Sequence, residues 1–296
     1  MTQTLPTPGE SPVVTPELAR AAPSRLRAEG LTLRYERHEV ATGLDFAVPA
    51  GEFTAIVGPN GCGKSTLLRA LSRTLTPAAG RVLLDGVPLQ RLRSKQIARS
   101  LALLPQDPIA PDTILVRDLV GRGRHPYHSA LRQWLPGDSA IVDRVLAETG
   151  VTALAERRVA ELSGGQRQRV WLAMVLAQET EIVLLDEPTS FLDIAHQVEL
   201  LHLCQDLRDA GRTVVAVLHD LNQAARYASR LAVLHGGRIV AEGAPSEVLT
   251  EGLVREVFGL DAVIGRDPES GTPTVVPRAR QPLSPAGERR GRPGPV

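Results

Sequence analysis

The sequence predicts an α/β protein in which helices pack on a largely parallel β-sheet, with an antiparallel β part and an inserted helical subdomain. Three observations carry that class. Short β-type runs at 31–35, 53–57, 101–104, 182–185 and 213–218 alternate with helix-like segments, the pattern of a sheet layered with helices. Between about 107 and 161 the strand-like runs stop and helical segments such as 138–149 take over. Near the end, two largely apolar runs at 231–234 and 238–241 flank His235-Gly236-Gly237, a hairpin signal.

In chain order, residues 1–24 are rich in Pro, Thr and Ala without apolar periodicity and are expected to form a flexible tail. Residues 25–265 make one large domain with its helical subdomain at about 107–178. Residues 266–296 are expected to be a mostly flexible extension, with Arg, Gly and Pro and almost nothing to bury beyond 278. The 296 residues, 43% hydrophobic and 23% charged, can bury a full core without requiring two independent domains. A net charge of +1, spread along the chain, argues against wrapping nucleic acid. The longest apolar runs are strand length, far short of the roughly 20 residues of a spanning helix, and two cysteines do not make a disulfide framework, which fits a reducing cytosol.

Gly58-Pro59-Asn60-Gly61-Cys62-Gly63-Lys64-Ser65-Thr66 matches the phosphate loop G-x-x-x-x-G-K-[ST]. It follows a β-run and opens a helical segment, so backbone N–H groups and the helix N-terminus face one point and favour negative charge there. Lys64 is expected at the β- and γ-phosphates of ATP and Ser65 on Mg²⁺. The N–H dipoles and Lys64 also favour a thiolate at Cys62. The strand-like 182–185 run ends in Asp186-Glu187, which places two carboxylates at the carboxyl edge of a parallel sheet. Asp186 is the candidate for Mg²⁺, held through water, and Glu187 for polarising the attacking water; taken alone, the pair is equally a polar turn. Tyr35 is a candidate to stack on adenine or a strand tyrosine covering core. His219, after an apolar strand, is a candidate to orient the water or a structural strand-end histidine.

Leu162-Ser163-Gly164-Gly165-Gln166 then opens a helix with a good N-cap and two glycines that waste helix propensity unless the backbone approaches a ligand. One γ-phosphate has little use for two glycine-rich cradles from one chain, so the second is read as serving the nucleotide of another copy.

Together these motifs resemble the nucleotide-binding subunits of ABC transporters over about residues 26–260. The resemblance implies that Tyr35 is the adenine-stacking aromatic, Gln106 the lid-loop glutamine touching Mg²⁺, and His219 the switch histidine. It makes Ser190-Phe191-Leu192-Asp193 the loop that crosses the dimer, with Phe191 in place of a commoner small residue. It implies an ATP-sandwich homodimer in which Ser163, Gly164, Gly165, Gln166 and Asp193 face the partner's nucleotide. Separate permease subunits would make the pore, an extracytoplasmic binding protein would act indirectly, and the chain would sit on the cytoplasmic face of the membrane. Gly121-Arg122-Gly123-Arg124-His125-Pro126-Tyr127 with Trp134, and the ending around Val257-Phe258-Gly259-Leu260-Asp261, are similar to the subgroup serving iron-siderophore, haem and vitamin B12 importers. A generic helical-subdomain surface is the plainer account of that stretch, and a soluble ABC ATPase, for example in iron–sulfur assembly, is the competing function. His125 and His128 lack a third ligand and are not expected to hold metal.

Overall fold

The computed structural model describes residues 24–35, 38–129 and 134–279. The expected tail at 1–23 and the end of the expected extension at 280–296 lie outside the described residues. Ser24, assigned to the tail, opens the first strand.

β1 (Ser24–Tyr35) pairs antiparallel with β2 (His38–Pro49). β3 (Phe53–Val57) is buried at every position and leads into α1 (Lys64–Leu71). β4 (Ala79–Leu84) returns to β1, and β5 (Val87–Pro88) adds its edge, so this first sheet has the order β2-β1-β4-β5. The 31–35 run therefore belongs to the antiparallel sheet and not to the parallel one. α2 (Ser94–Ser100) and β6 (Leu101–Leu104) precede the helices α3 (Val116–Gly121), α4 (Asp138–Glu148) and α5 (Gly164–Ala177). Then follow β7 (Ile182–Asp186), α6 (Ile194–Asp209), β8 (Thr213–Val217), α7 (Leu221–Tyr227), β9 (Arg230–His235) and β10 (Arg238–Gly243). The central sheet has the order β10-β9-β3-β8-β7-β6, parallel throughout except for the β9–β10 hairpin.

Why β7 reads as an unbroken apolar run follows from its two neighbours. Ile182 and Leu184 face a core shared with Leu26, Phe46 and the α1 leucines Leu67, Leu68 and Leu71. Val183 and Leu185 face the opposite core, with Val116 and Leu119 of α3, Val142 and Val145 of α4, and Val170 and Leu172 of α5. A sheet covered on both faces cannot alternate apolar with polar. Each such side chain, fully buried, contributes about 1.5–3 kcal/mol. The helices at 116–177 share one core with the sheet, so they are part of the same folded unit.

The chain ends in α8 (Pro245–Val248), α9 (Glu251–Phe258) and an antiparallel pair, β11 (Ala262–Arg266) and β12 (Pro273–Pro277). This corrects the expectation of a mostly flexible segment from 266, as far as the described residues reach. The 273–277 run has a period-2 pattern with Val275 turned into the core. The α7 side chain of Asn222 acts as a substitute peptide group for β12, accepting from Val275 N–H at 2.7 Å and donating to Val275 C=O at 3.3 Å. Arg226 of the same helix pairs with Asp267 at 3.0 Å and with Glu269.

Candidate functional site

The carboxyl ends of β3, β8, β7 and β6, consecutive in the sheet, bring the phosphate loop, Asp186, Glu187, His219 and Gln106 to one place. Leaving β3, the backbone turns sharply at Gly58, where φ is +155° and an added Cβ would overlap the carbonyl oxygen of Leu234 on neighbouring β9. Only glycine fits a strand so close. The loop over 58–63 ends at Gly63, the N-cap of α1. Lys64 is 5% exposed, and its ammonium donates to the carbonyls of Gly58 and Pro59, both at 2.9 Å, which closes the loop on itself.

Across from the loop, Ser65 Oγ donates to Asp186 Oδ1 at 2.8 Å. Burial pushes the Asp186 carboxyl up, while the Ser65 hydroxyl and the nearby Arg69 pull it down less strongly. Glu187 follows with φ +51°, a strained value for a residue with a side chain, of order 1–3 kcal/mol. Its carboxylate is held on both oxygens. Gln106 Nε2 donates to Oε2 at 2.9 Å, Ser190 Oγ approaches the same oxygen at 3.4 Å, and His219 Nε2 meets Oε1 at 2.6 Å. Residues from three separate strand ends thus fix one carboxylate facing the loop.

Between them lies an open cleft of about 550 Å³, lined by Asn60, Gly61, Gly63 and Thr66 of the loop as well as Lys64 and Ser65, and by Gln106, Glu187 and His219. Val40 and Arg69 also line it, and sequence reasoning missed both. Val40 sits on β2, whose polar alternation carries no motif. The ring of Tyr35 lies outside the described residues, so its expected role stays an expectation.

Ser163, Gly164, Gly165 and Gln166 do not line this cleft. They form a reciprocal cap on α5, with Gln166 N–H donating to Ser163 Oγ at 3.3 Å and Ser163 N–H to Gln166 Oε1 at 3.1 Å. Phe191, 74% exposed and at φ +64°, lies over Gly164 and Gly165. Asp193 caps α6, accepting from His196 N–H at 3.0 Å, and this bond holds its carboxyl below the usual range.

The thiolate expected at Cys62 is corrected. Burial is the largest influence and pushes the thiol up, outweighing Lys64 and the backbone N–H groups of Lys64 and Cys62, which favour the thiolate. Cys204 is fully buried and pushed up to about 12. Alkylation at pH 7 is therefore expected to be slow and to accelerate as pH rises past 9, with MgATP protecting and Cys62→Ser resistant. Rapid inactivation at pH 7 that Cys62→Ser abolishes would contradict this.

Within the described part of the 121–134 stretch, Arg124, Tyr127 and His128 take part in a brace. The buried Arg124 guanidinium bonds Asp138 at 2.9 Å, Ala177 C=O at 2.8 Å and Glu179 at 3.0 Å, and lies 4.2 Å from the Tyr127 ring centroid. His128 Nε2 meets the other Asp138 oxygen at 2.8 Å. Burial alone would raise the Asp138 carboxyl, but bonds from Leu135 N–H, His128 and Arg124 outweigh it and hold it low. Among the described residues no cluster of three or more His, Cys, Asp or Glu side chains is placed to hold a metal.

Comparison with known proteins agrees with this geometry. The ABC transporter family model matches residues 41–190. The ferric enterobactin transport ATP-binding protein FepC of Escherichia coli (strain K12) is 54% identical over 258 residues, 87% of this chain and 95% of that one. The achromobactin transport ATP-binding protein CbrD of Dickeya dadantii (strain 3937) is 50% identical over 252 residues, 85% and 94% of the two chains. Among solved structures, a transporter described as of the metal-chelate ABC type, in an inward-facing conformation, superposes with a TM-score of 0.73 at 30% identity, covering 86% of this chain and 98% of that one. The dimeric bacterial ABC transporter cassette MJ0796 gives 0.67 at 26% identity, covering 74% and 98%.

Proposed function

Because this chain belongs to the ABC transporter family of ATP-binding proteins, we propose that it is the ATP-hydrolysing subunit of an importer of ferric siderophores. One observation carries the ATPase assignment: the Glu187 carboxylate, held by Gln106 and His219, faces a phosphate loop across the cleft. ATP binds with its phosphates on the N–H groups of residues 58–66 and with Lys64 at the β- and γ-phosphates. Glu187 orients the attacking water and takes its proton, while His219 and Gln106 keep the carboxylate aimed. Ser65 and Asp186, with Gln106 nearby, offer the hard oxygen donors that suit Mg²⁺. When bound, the ion neutralises phosphate charge.

The capped segment at 163–166 stands outside this chain's own cleft, so a second copy supplies it, as the dimeric state of MJ0796 supports. Asp193 belongs to the same contact. Closure of the pair requires ATP, and hydrolysis releases it. Among the described residues no helix is long and apolar enough to cross a membrane, so the stroke passes to separate permease subunits, with this chain on the cytoplasmic face. The siderophore assignment rests on FepC and CbrD, whose names give ferric enterobactin and achromobactin as cargo.

Deleting the gene is expected to stop uptake of an iron-labelled ferric siderophore and to slow growth only when iron is chelated. A plasmid copy restores uptake, and a Lys64→Ala copy does not. Normal siderophore uptake with loss of cobalamin or haem uptake would move the cargo within the subgroup. Intact uptake of all three, with no polytopic membrane protein copurifying, would favour a soluble ABC ATPase.

A further inference from the structure

Two residues of the loop after β7 hold positive φ without being glycine, Glu187 at +51° and Phe191 at +64°. Such strain persists only where the surroundings over-determine the backbone. The 189–192 loop, with Leu192 packed in the core, is hydrogen-bonded from outside by Gln197 of α6. Its Nε2 donates to the carbonyls of Thr189, at 3.2 Å, and Leu192, at 3.1 Å, on either side of Phe191. That leaves Gln197 Oε1 free to accept, and Gln223 of α7 donates to it from Nε2 at 2.8 Å. The amide orientations are fixed by this arrangement, since turning Gln197 over would set its oxygen against two carbonyls.

Gln223 lies in the first turn of α7, four residues after His219. Asp220, the intervening N-cap, accepts from the N–H groups of Asn222 at 2.8 Å and Gln223 at 3.0 Å. The neighbouring Asn222 is clamped to the Val275 backbone of β12. Two of the three arms that reach Glu187 are therefore joined behind it, the third being Gln106. One arm carries Ser190 in the 189–192 loop, the other carries His219 at the start of α7, and the two meet in the Gln197–Gln223 bond.

We propose that Gln197 and Gln223 are positioning residues of the ATPase site, which register the 189–192 loop against the start of α7 so that Ser190 and His219 approach the Glu187 carboxylate as one unit, with the Asn222 clamp on β12 as anchor. This rests on the assignment of Glu187 as the group that activates water. Neither glutamine lines the cleft, so the effect falls on turnover and not on nucleotide binding.

The test uses the full chain with Gln223→Met, which keeps length, and Gln223→Glu, which keeps shape but loses the donor. Both are expected to lower kcat for ATP about three- to tenfold, the worth of one neutral hydrogen bond, with KM within about twofold. Thermal midpoints should stay close to wild type, and single-turnover hydrolysis in a Glu187→Gln background should show no further loss, because both changes act through the same carboxylate. Unchanged kcat in both variants, or an equal fold loss in the Glu187→Gln background, would overturn the proposal. A wild-type chain that hydrolyses no ATP would instead remove the function on which it rests.

Discussion

Changing Glu187 to glutamine is expected to slow ATP turnover by about a hundredfold or more while ATP binding stays near that of wild type. The substitution preserves size but removes the charge that would draw a proton from water, and a positioned general base is worth about a hundredfold to ten-thousandfold. It also disturbs the aim. The two carboxylate oxygens now accept from Gln106 Nε2 and His219 Nε2, and an amide offers one oxygen and one NH₂ group. An NH₂ group turned toward Gln106 faces another donor, and one turned toward His219 requires the imidazole tautomer whose Nε2 accepts. Binding is expected to be spared because the groups proposed to hold the phosphates bond elsewhere, Lys64 to the Gly58 and Pro59 carbonyls and Ser65 to Asp186. ATP should accumulate in a closed dimer, seen as a mass shift on gel filtration, while phosphate release nearly stops. A variant that turns over ATP at the wild-type rate would remove Glu187 from its role.

How much of this was legible depends on whether the signal lies along the chain or across it. The phosphate loop, Asp186-Glu187 and the 163–166 cap are consecutive residues at strand or helix ends, where type and order alone imply the backbone. Gln106 required the family resemblance, and His219 stood as a strand-end candidate with a structural alternative until that resemblance gave it a role, since nothing local to either announces a bond to Glu187. Val40, Gln197 and Gln223 were silent. A glutamine on a helix face is ordinary, and its meaning comes only from what the fold sets opposite it. Cys62 was misread because the local dipoles were weighed without the burial that opposes them. The extension from 266 was misread because its composition looks poor in core, whereas Val275 and the Asn222 clamp suffice to hold a two-stranded pair on α7. The brace around Arg124 shows the converse. A stretch that resembles a subgroup marker ties one of its arginines, Arg124, and the adjoining His128 to a buried carboxylate, Asp138, and an unpaired charge there would cost several kcal/mol.

Gly58→Ala is expected to abolish nucleotide binding, a loss of about a hundredfold or more in affinity, even though it adds one methyl group. Two costs combine. The φ of +155° is one that side chains with a Cβ rarely adopt, which alone costs of order 1–3 kcal/mol. The new Cβ would also overlap Leu234 C=O, and that carbonyl belongs to β9, a strand hydrogen-bonded to both β3 and β10 and unable to retreat cheaply. Relief must come from the loop, which moves away from the sheet. The same movement displaces the Gly58 and Pro59 carbonyls from Lys64 and misaligns the N–H groups proposed to receive the phosphates. About 2.7 kcal/mol of lost loop registration corresponds to a hundredfold in Kd. Gly43→Ala separates the two costs, because Gly43 has φ +64° with open space around it. It should lose only about 1 kcal/mol of stability and keep ATP binding. Titration of both variants with a fluorescent ATP analogue, beside thermal melts, reads the difference. Tight ATP binding by a folded Gly58→Ala chain would show that the loop tolerates the displacement and that its register against β9 does not set the site.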